Sequence, residues 1–168
     1  MTLLTRWAES AGKAYDPNGE VNLTGFAGSL TAFASATAAT ALAARAQGRT
    51  LPERYATADL LLGGLAAHKF SRLLSKASVT SPLRAPFTTF EEAAGSSEHV
   101  EVARGEHGVR HTLGELLTCP FCVGTWVSAA YVGGLTVSPR VARAWAAVFA
   151  VTAISDGLQQ AYARLRDD

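Results

Sequence analysis

The sequence has little charge, few cysteines and no basic cluster, and each shortage excludes a class of protein. Charged residues make up 17% of the 168 residues, against about a quarter in a typical soluble domain. The net charge is only +1, and the 15 Lys and Arg residues are scattered along the chain. A nucleic-acid-binding surface needs a clear excess of Lys and Arg, so we expect no nucleic acid as a partner. Two cysteines close in sequence do not make a disulfide framework.

The first residues also lack the features of a secretory signal. Residues 1–6 have neither the charged start nor the apolar stretch of such a signal. Arg6, Trp7, Glu9 and Lys13 fit a short amphipathic helix, and a turn follows at Asp-Pro-Asn-Gly. The sequence therefore predicts an N-terminal amphipathic segment over residues 1–24, followed by a single helical membrane domain over residues 25–168.

What the chain does contain is long stretches with little or no charge. Residues 25–44 and 116–138 carry no charged residue, and each is long enough to cross a bilayer as a helix. Residues 55–75 and 144–165 predict two more helices, which are less certain to span because each includes charges. The fold class predicted is all-α: a membrane-embedded helical bundle of about four helices.

A polar segment separates the second predicted helix from the third. Pro82 and Pro86 interrupt any helix there, and residues 91–108 are rich in Gly, Ser and Glu. Residues 100–104 are compatible with a short strand, although a lone strand is weak support for a sheet. We therefore expect one long loop outside the membrane between helices 2 and 3.

The distribution of basic residues predicts an orientation. If all four helices span, both termini and the long loop lie on one side of the membrane. That side carries ten Lys and Arg residues against five on the other, and the positive-inside rule then places the termini in the cytoplasm of a multi-pass cell-membrane protein. The ten are Arg6, Lys13, Lys69, Arg72, Lys76, Arg84, Arg104, Arg110, Arg164 and Arg166; the five are Arg45, Arg49, Arg54, Arg140 and Arg143.

Three blocks follow one another along the chain: DLLLGGLAAHKFSRLLSKASVTSPLRAPF, then GELLTCPFCVGTWVSAAY, then a Pro and a Trp ahead of an Ala-rich closing helix. Together they resemble the DUF1360 family of small bacterial membrane proteins. The resemblance covers about residues 57–160. It implies a small multi-helix membrane protein of unknown activity, with a sporulation-associated relative in Bacillus. It supplies no catalytic residues to transfer to this chain.

Cys119 and Cys122 are the strongest candidates for chemistry. Their spacing suits a redox disulfide or two metal ligands. With His107 and His111, which are four residues apart, they would make a Cys2His2 zinc set, and zinc is the one cofactor considered. A thiol–disulfide oxidoreductase is the other alternative, but no βαβ pattern surrounds the pair. The plainest interpretation is that the cysteines pack at the start of a membrane helix.

Charged residues near the predicted helix ends form a second candidate site. Arg72, Arg84 and Glu115 suggest an interfacial polar network that ties the loop to the helices. Asp59 and Asp156 lie near helix ends, where capping or an interfacial hydrogen bond is expected rather than an intramembrane function.

Together these features favour a protein that is not an enzyme. We expect an integral membrane protein with a structural or partner-binding role, in contact with the lipid bilayer and with a protein partner or a second copy of itself. The Cys/His zinc-binding protein and the membrane thiol oxidoreductase are the alternatives.

Overall fold

The computed structural model describes residues 10–95 and 97–167. The amphipathic stretch around Arg6, Trp7 and Glu9 lies outside the described residues. Residues 10–15, which follow it, are helical.

Six further helices and one hairpin make up most of the described chain. The four long helices are those predicted from the weakly charged stretches, with a break at Cys119 before the third of them. The helices are α1 (Leu23–Ala46), α2 (Thr57–Lys76), α3 (Ser81–Arg84), α4 (Val109–Thr118), α5 (Pro120–Val137) and α6 (Pro139–Asp167), with a 3-10 turn at Ser78–Thr80. The strands are β1 (Thr88–Ala94) and β2 (Glu98–Ala103).

Local sequence explains where the long helices begin. Asn22 caps α1, since its side-chain oxygen accepts the N–H of Gly25 at 3.2 Å. Helices α5 and α6 each begin with a proline, at Pro120 and Pro139, where the missing N–H costs no helical hydrogen bond. The two prolines thus divide the C-terminal part of the chain into separate helices.

Helix α2 is the centre of the bundle, because it packs against both α5 and α6. The ring of Tyr131 on α5 lies against Gly63, where a Cβ atom would come within 2.2 Å of the ring. Further along α2, the ring of Phe70 packs at an angle against the rings of Trp145 and Phe149 of α6, with ring centroids 5.3 and 4.7 Å away. Small residues and aromatic rings therefore let three helices approach closely.

The contacts between helices also give their directions. Ser71 of α2 lies beside Gly124 and Gly63 lies beside Tyr131, so α2 and α5 are antiparallel. Helix α1 runs parallel to α5, with Phe33 on Trp126 and Thr40 beside Gly133. The start of α1, the end of α2 and the start of α5 therefore lie at the same end of the bundle.

The segment predicted as a loop is folded, and we call residues 77–118 the cap. Strands β1 and β2 pair in an antiparallel hairpin, with a bulge between Phe90 and Glu92. Helix α4 packs on this hairpin through Gly114, where a Cβ atom would lie 2.5 Å from the carbonyl oxygen of Phe87. The all-α prediction is therefore wrong in this segment, because the paired strands satisfy each other's backbone groups, which a lone strand cannot do.

Three helices of the described chain are long and apolar enough to cross a membrane. They are α1, α5 and α6 over Pro139–Arg166. Large apolar side chains on α1 and α6 point outward, away from the bundle core. Examples are Leu30 at 71% exposure and Val151 at 66%. The structure is thus mostly helical, with a small two-stranded sheet and three candidate membrane helices, rather than a simple four-helix bundle.

Candidate functional site

Arg84 lies at the centre of the cap and is completely buried. The last turn of α3 places it between the end of α2 and the hairpin. Its Nη1 donates to the carbonyl oxygens of Leu74 at 2.8 Å and Ala77 at 3.1 Å, and to the Thr80 hydroxyl at 2.7 Å. A guanidinium group at this place satisfies the Leu74 carbonyl in the last turn of α2, and it adds a donor to the Ala77 carbonyl, which also accepts the N–H of Thr80.

The other side of the Arg84 guanidinium is paired with Glu101 of β2. Nε and Nη2 donate to the two carboxylate oxygens at 3.0 and 2.6 Å, which is the bidentate geometry of a strong ion pair. The Thr88 hydroxyl also donates to Glu101, at 2.7 Å. Burial opposes ionisation of this carboxyl, but the bonds from Arg84 and Thr88 outweigh it and lower the pKa of Glu101.

The lowered pKa predicts how stability depends on pH. A carboxyl whose pKa is lowered in the folded state stabilises that state above its unfolded pKa, near 4.5, and loses the contribution as the pH falls through the lowered value. We expect the wild type to lose more unfolding free energy than Glu101→Gln between pH 7 and pH 3. Thermal unfolding in detergent micelles measures the difference. Equal pH slopes in the two proteins would contradict the prediction.

The three residues of the predicted polar network lie in separate sets of contacts. Arg84 pairs with Glu101, whereas Arg72 forms a bidentate pair with Glu98 at 2.7 Å for both bonds. Glu115 accepts from the side chain of Asn22 at 2.9 Å. Arg72 and Arg84 each join the end of α2 to strand β2, and Glu115 joins α4 to the start of α1.

The sequence did not identify the partners of Arg72, Arg84 and Glu115. These partners are Glu98, Glu101 and Asn22. Glu98 and Glu101 lie three residues apart in a strand, so the two-residue alternation of a strand does not predict that both bind arginines near the end of α2. Asn22 is 93 residues away from Glu115. The sequence offered one signal for Arg84, its place between Pro82 and Pro86, and this does not identify its partner.

The two cysteines lie where the cap joins the bundle. Cys119 is the residue before α5 and has an extended backbone, while Cys122 is in the first turn of that helix. The Sγ of Cys119 accepts the N–H of Cys122 at 3.2 Å. Both thiols are free; Cys119 is half-buried and Cys122 is exposed. The side chain of Cys119 thus caps the helix as a serine would.

The two histidines of the predicted zinc set are placed differently. His111 faces Glu115, with 3.6 Å between Nε2 and the carboxylate oxygen. His107 lines a groove of about 640 Å³ between the start of α1 and the start of α4. Across residues 10–95 and 97–167, no three His, Cys, Asp or Glu side chains are grouped so that they would hold a metal ion. A Cys2His2 arrangement is therefore not assembled there.

Two ion pairs join α2 to α6 and involve acids that the sequence placed near helix ends. Arg143 donates to both carboxylate oxygens of Asp59 at 2.8 Å. Lys69 pairs with Asp156 further along the two helices. Asp59 therefore engages a neighbouring helix and not only the start of its own. Because the two ion pairs follow the same order along both helices, α2 and α6 run parallel.

These features define a helical protein with apolar outward faces and a polar cap held by buried and half-buried ion pairs. Residues 61–162 match a family described as a protein of unknown function, DUF1360. The chain belongs to the DUF1360 family. A similar protein is the sporulation protein YjcA of Bacillus subtilis (strain 168), which is 34% identical over 87 residues; these cover 50% of this chain and 73% of the relative. No solved structure matches the chain.

Proposed function

We propose that the protein is an integral membrane protein with a structural or partner-binding role rather than an enzyme. The observation that carries this proposal is the outward-facing apolar surface of α1 and α6, two helices long enough to cross a bilayer. In water this surface would be costly to expose, whereas lipid tails cover it at no cost. The bilayer is therefore the first partner of the protein.

In this proposal α2 is the fourth spanning helix, although it carries charges. Its Asp59 and Lys69 are each paired with an opposite charge on α6. Charged residues within membrane proteins characteristically face the bundle and pair in this manner. Helix α2 also packs against two apolar helices, α5 and α6, so much of its surface is covered by protein.

The helix directions support one topology for this proposal. The cap, the start of α1 and the end of α6 lie at one end of the bundle, and the connection between α1 and α2 lies at the other. The side with the cap carries the greater number of Lys and Arg residues, which favours a cytoplasmic cap and cytoplasmic termini.

The polar side chains of the cap support a structural role over a catalytic one. Arg84, Glu101 and Thr88 are engaged with one another and with the end of α2, so they hold the hairpin in place. The exposed surface of the hairpin, which includes Phe90 and Val102, is then available to another protein or to a second copy. Such a partner-binding role accords with a relative that is named for sporulation.

Membrane integration is tested by alkaline carbonate extraction of cell membranes. We expect the full chain to stay in the pellet with the lipid, because its apolar helices are covered by acyl chains. A peripheral protein of the same host, carried through the same washes, serves as the control. Release of the chain into the supernatant would refute the proposal.

Topology is tested by labelling introduced cysteines in a Cys119→Ser, Cys122→Ser background. Glu106 lies in the cap and Leu51 lies between α1 and α2, and both residues are exposed. Each is replaced by cysteine in turn. We expect a membrane-impermeant maleimide to label Leu51→Cys on intact cells, and Glu106→Cys only after permeabilisation. Labelling of both from the same side would contradict the topology.

A further inference from the structure

We propose that Cys119 and Cys122 bind one Cu(I) ion between their two sulfur atoms. The inference depends on reduced thiols and not on the membrane topology proposed above. Both cysteines are free thiols. They lie on one short piece of backbone where α5 begins, so no movement of one element relative to another is needed to bring them together.

The backbone already directs the first sulfur toward the second residue. The Sγ of Cys119 lies 3.2 Å from the backbone nitrogen of Cys122, whose N–H it accepts. The Cys122 sulfur is attached through Cβ to the α-carbon next to that nitrogen. The thiols of Cys119 and Cys122 are close enough to interact with each other, and the Cys122 side chain can adjust among its staggered χ1 positions.

Copper binding releases two protons and leaves one negative charge. Binding follows 2 RSH + Cu⁺ → [Cu(SR)₂]⁻ + 2 H⁺, so two S–H bonds break, two Cu–S bonds form and no electron is transferred. The product lies at the N-terminus of α5, beside the positive end of the helix dipole. The N–H of Cys122 becomes a charge-assisted donor to a thiolate.

The number of ligands distinguishes Cu(I) from zinc. A structural zinc ion takes four ligands, and among residues 10–95 and 97–167 no third His, Cys, Asp or Glu joins the two thiols. Soft thiolates favour Cu(I), and this ion is satisfied by two of them. Cys122 is exposed, so an ion or a copper donor can reach the pair from that side.

The test uses the full chain, purified in detergent and kept reduced without oxygen. It is titrated with Cu(I) in competition with a colorimetric Cu(I) chelator. We expect one chelator-resistant Cu(I) per chain, and two sulfur atoms as the only ligands in X-ray absorption. Cys119→Ser and Cys122→Ser should each lose this binding, while His107→Ala keeps it.

The serine variants keep the protein folded, since serine at position 119 still caps α5; helical circular dichroism checks this. Three results would overturn the proposal. They are no chelator-resistant Cu(I) on the reduced wild type, binding that survives either serine replacement, and one metal per two chains. The last result would mean a four-thiolate site shared between two copies.

Discussion

Replacing Arg84 with methionine is expected to lower the free energy of unfolding by about 3–5 kcal/mol, the usual cost of breaking a buried ion pair. The change leaves the Glu101 carboxylate, which is 4% exposed, without its cation. It also removes the donor to the carbonyl oxygens of Leu74 and Ala77. Denaturant unfolding in detergent micelles, followed by circular dichroism, measures the loss.

Arg72→Met is a matched control for this prediction. Arg72 also pairs through two bonds with a glutamate of β2, but its side chain is 53% exposed. Solvent weakens such pairs, so we expect a loss of about 0–1 kcal/mol. The double variant Arg84→Met, Glu101→Leu should regain part of the stability lost by Arg84→Met, because no unpaired charge stays buried. Equal losses of unfolding free energy for Arg84→Met and Arg72→Met would show that the cost of breaking the pair does not depend on its burial.

Replacing Gly63 with alanine is expected to destabilise the bundle by about 1–3 kcal/mol, the typical cost of overpacking a core. The added Cβ atom would lie 2.2 Å from the Tyr131 ring. The ring is held in place, because its hydroxyl donates to the carbonyl oxygen of Asp59 at 3.0 Å and its side chain is buried. Relief therefore requires α2 and α5 to separate. Thermal unfolding in detergent measures the effect.

Gly64→Ala supplies the matched control, because the next residue of the same helix has open space where its Cβ atom would be. Both replacements bring the same gain in helix propensity. The difference between the two variants therefore reports the contact with Tyr131. If Gly63→Ala were as stable as Gly64→Ala, the close approach of α2 and α5 at this position would be disproved.

The long helices were predictable because each rests on a local property of the sequence. Residues 25–44 and 116–138 contain no charge, and the ends of α1 and α5 lie within one to four residues of those bounds. The break at Cys119 was not foreseen. A proline is tolerated within a first turn, so the sequence did not distinguish one helix containing Pro120 from a new helix beginning there.

The cap was not predictable to the same extent, because it rests on contacts between distant residues. Strand β1 has the sequence TTFEEAA, with no apolar alternation to reveal it. It is held in place by the pairing of its backbone with β2. Strand β2 is held in turn by the ion pairs that its two glutamates form with Arg72 and Arg84. Among the candidate site residues, Cys119 and Cys122 are neighbours by local spacing, and this pair was identified from the sequence. His111 and Glu115, four residues apart on α4, are also local neighbours, but the sequence assigned them to different sites.

The two ion pairs between α2 and α6 have a consequence for how the chain is made. Asp59 and Lys69 find their partners 84 and 87 residues later in the chain. In the membrane arrangement proposed above, α2 carries uncompensated charges that oppose its entry into the lipid while the ribosome is still synthesising the cap. We expect α2 to stay at the membrane surface at this stage and to cross only when α5 and α6 emerge. The biogenesis of this protein would then couple insertion of an early helix to completion of the last one.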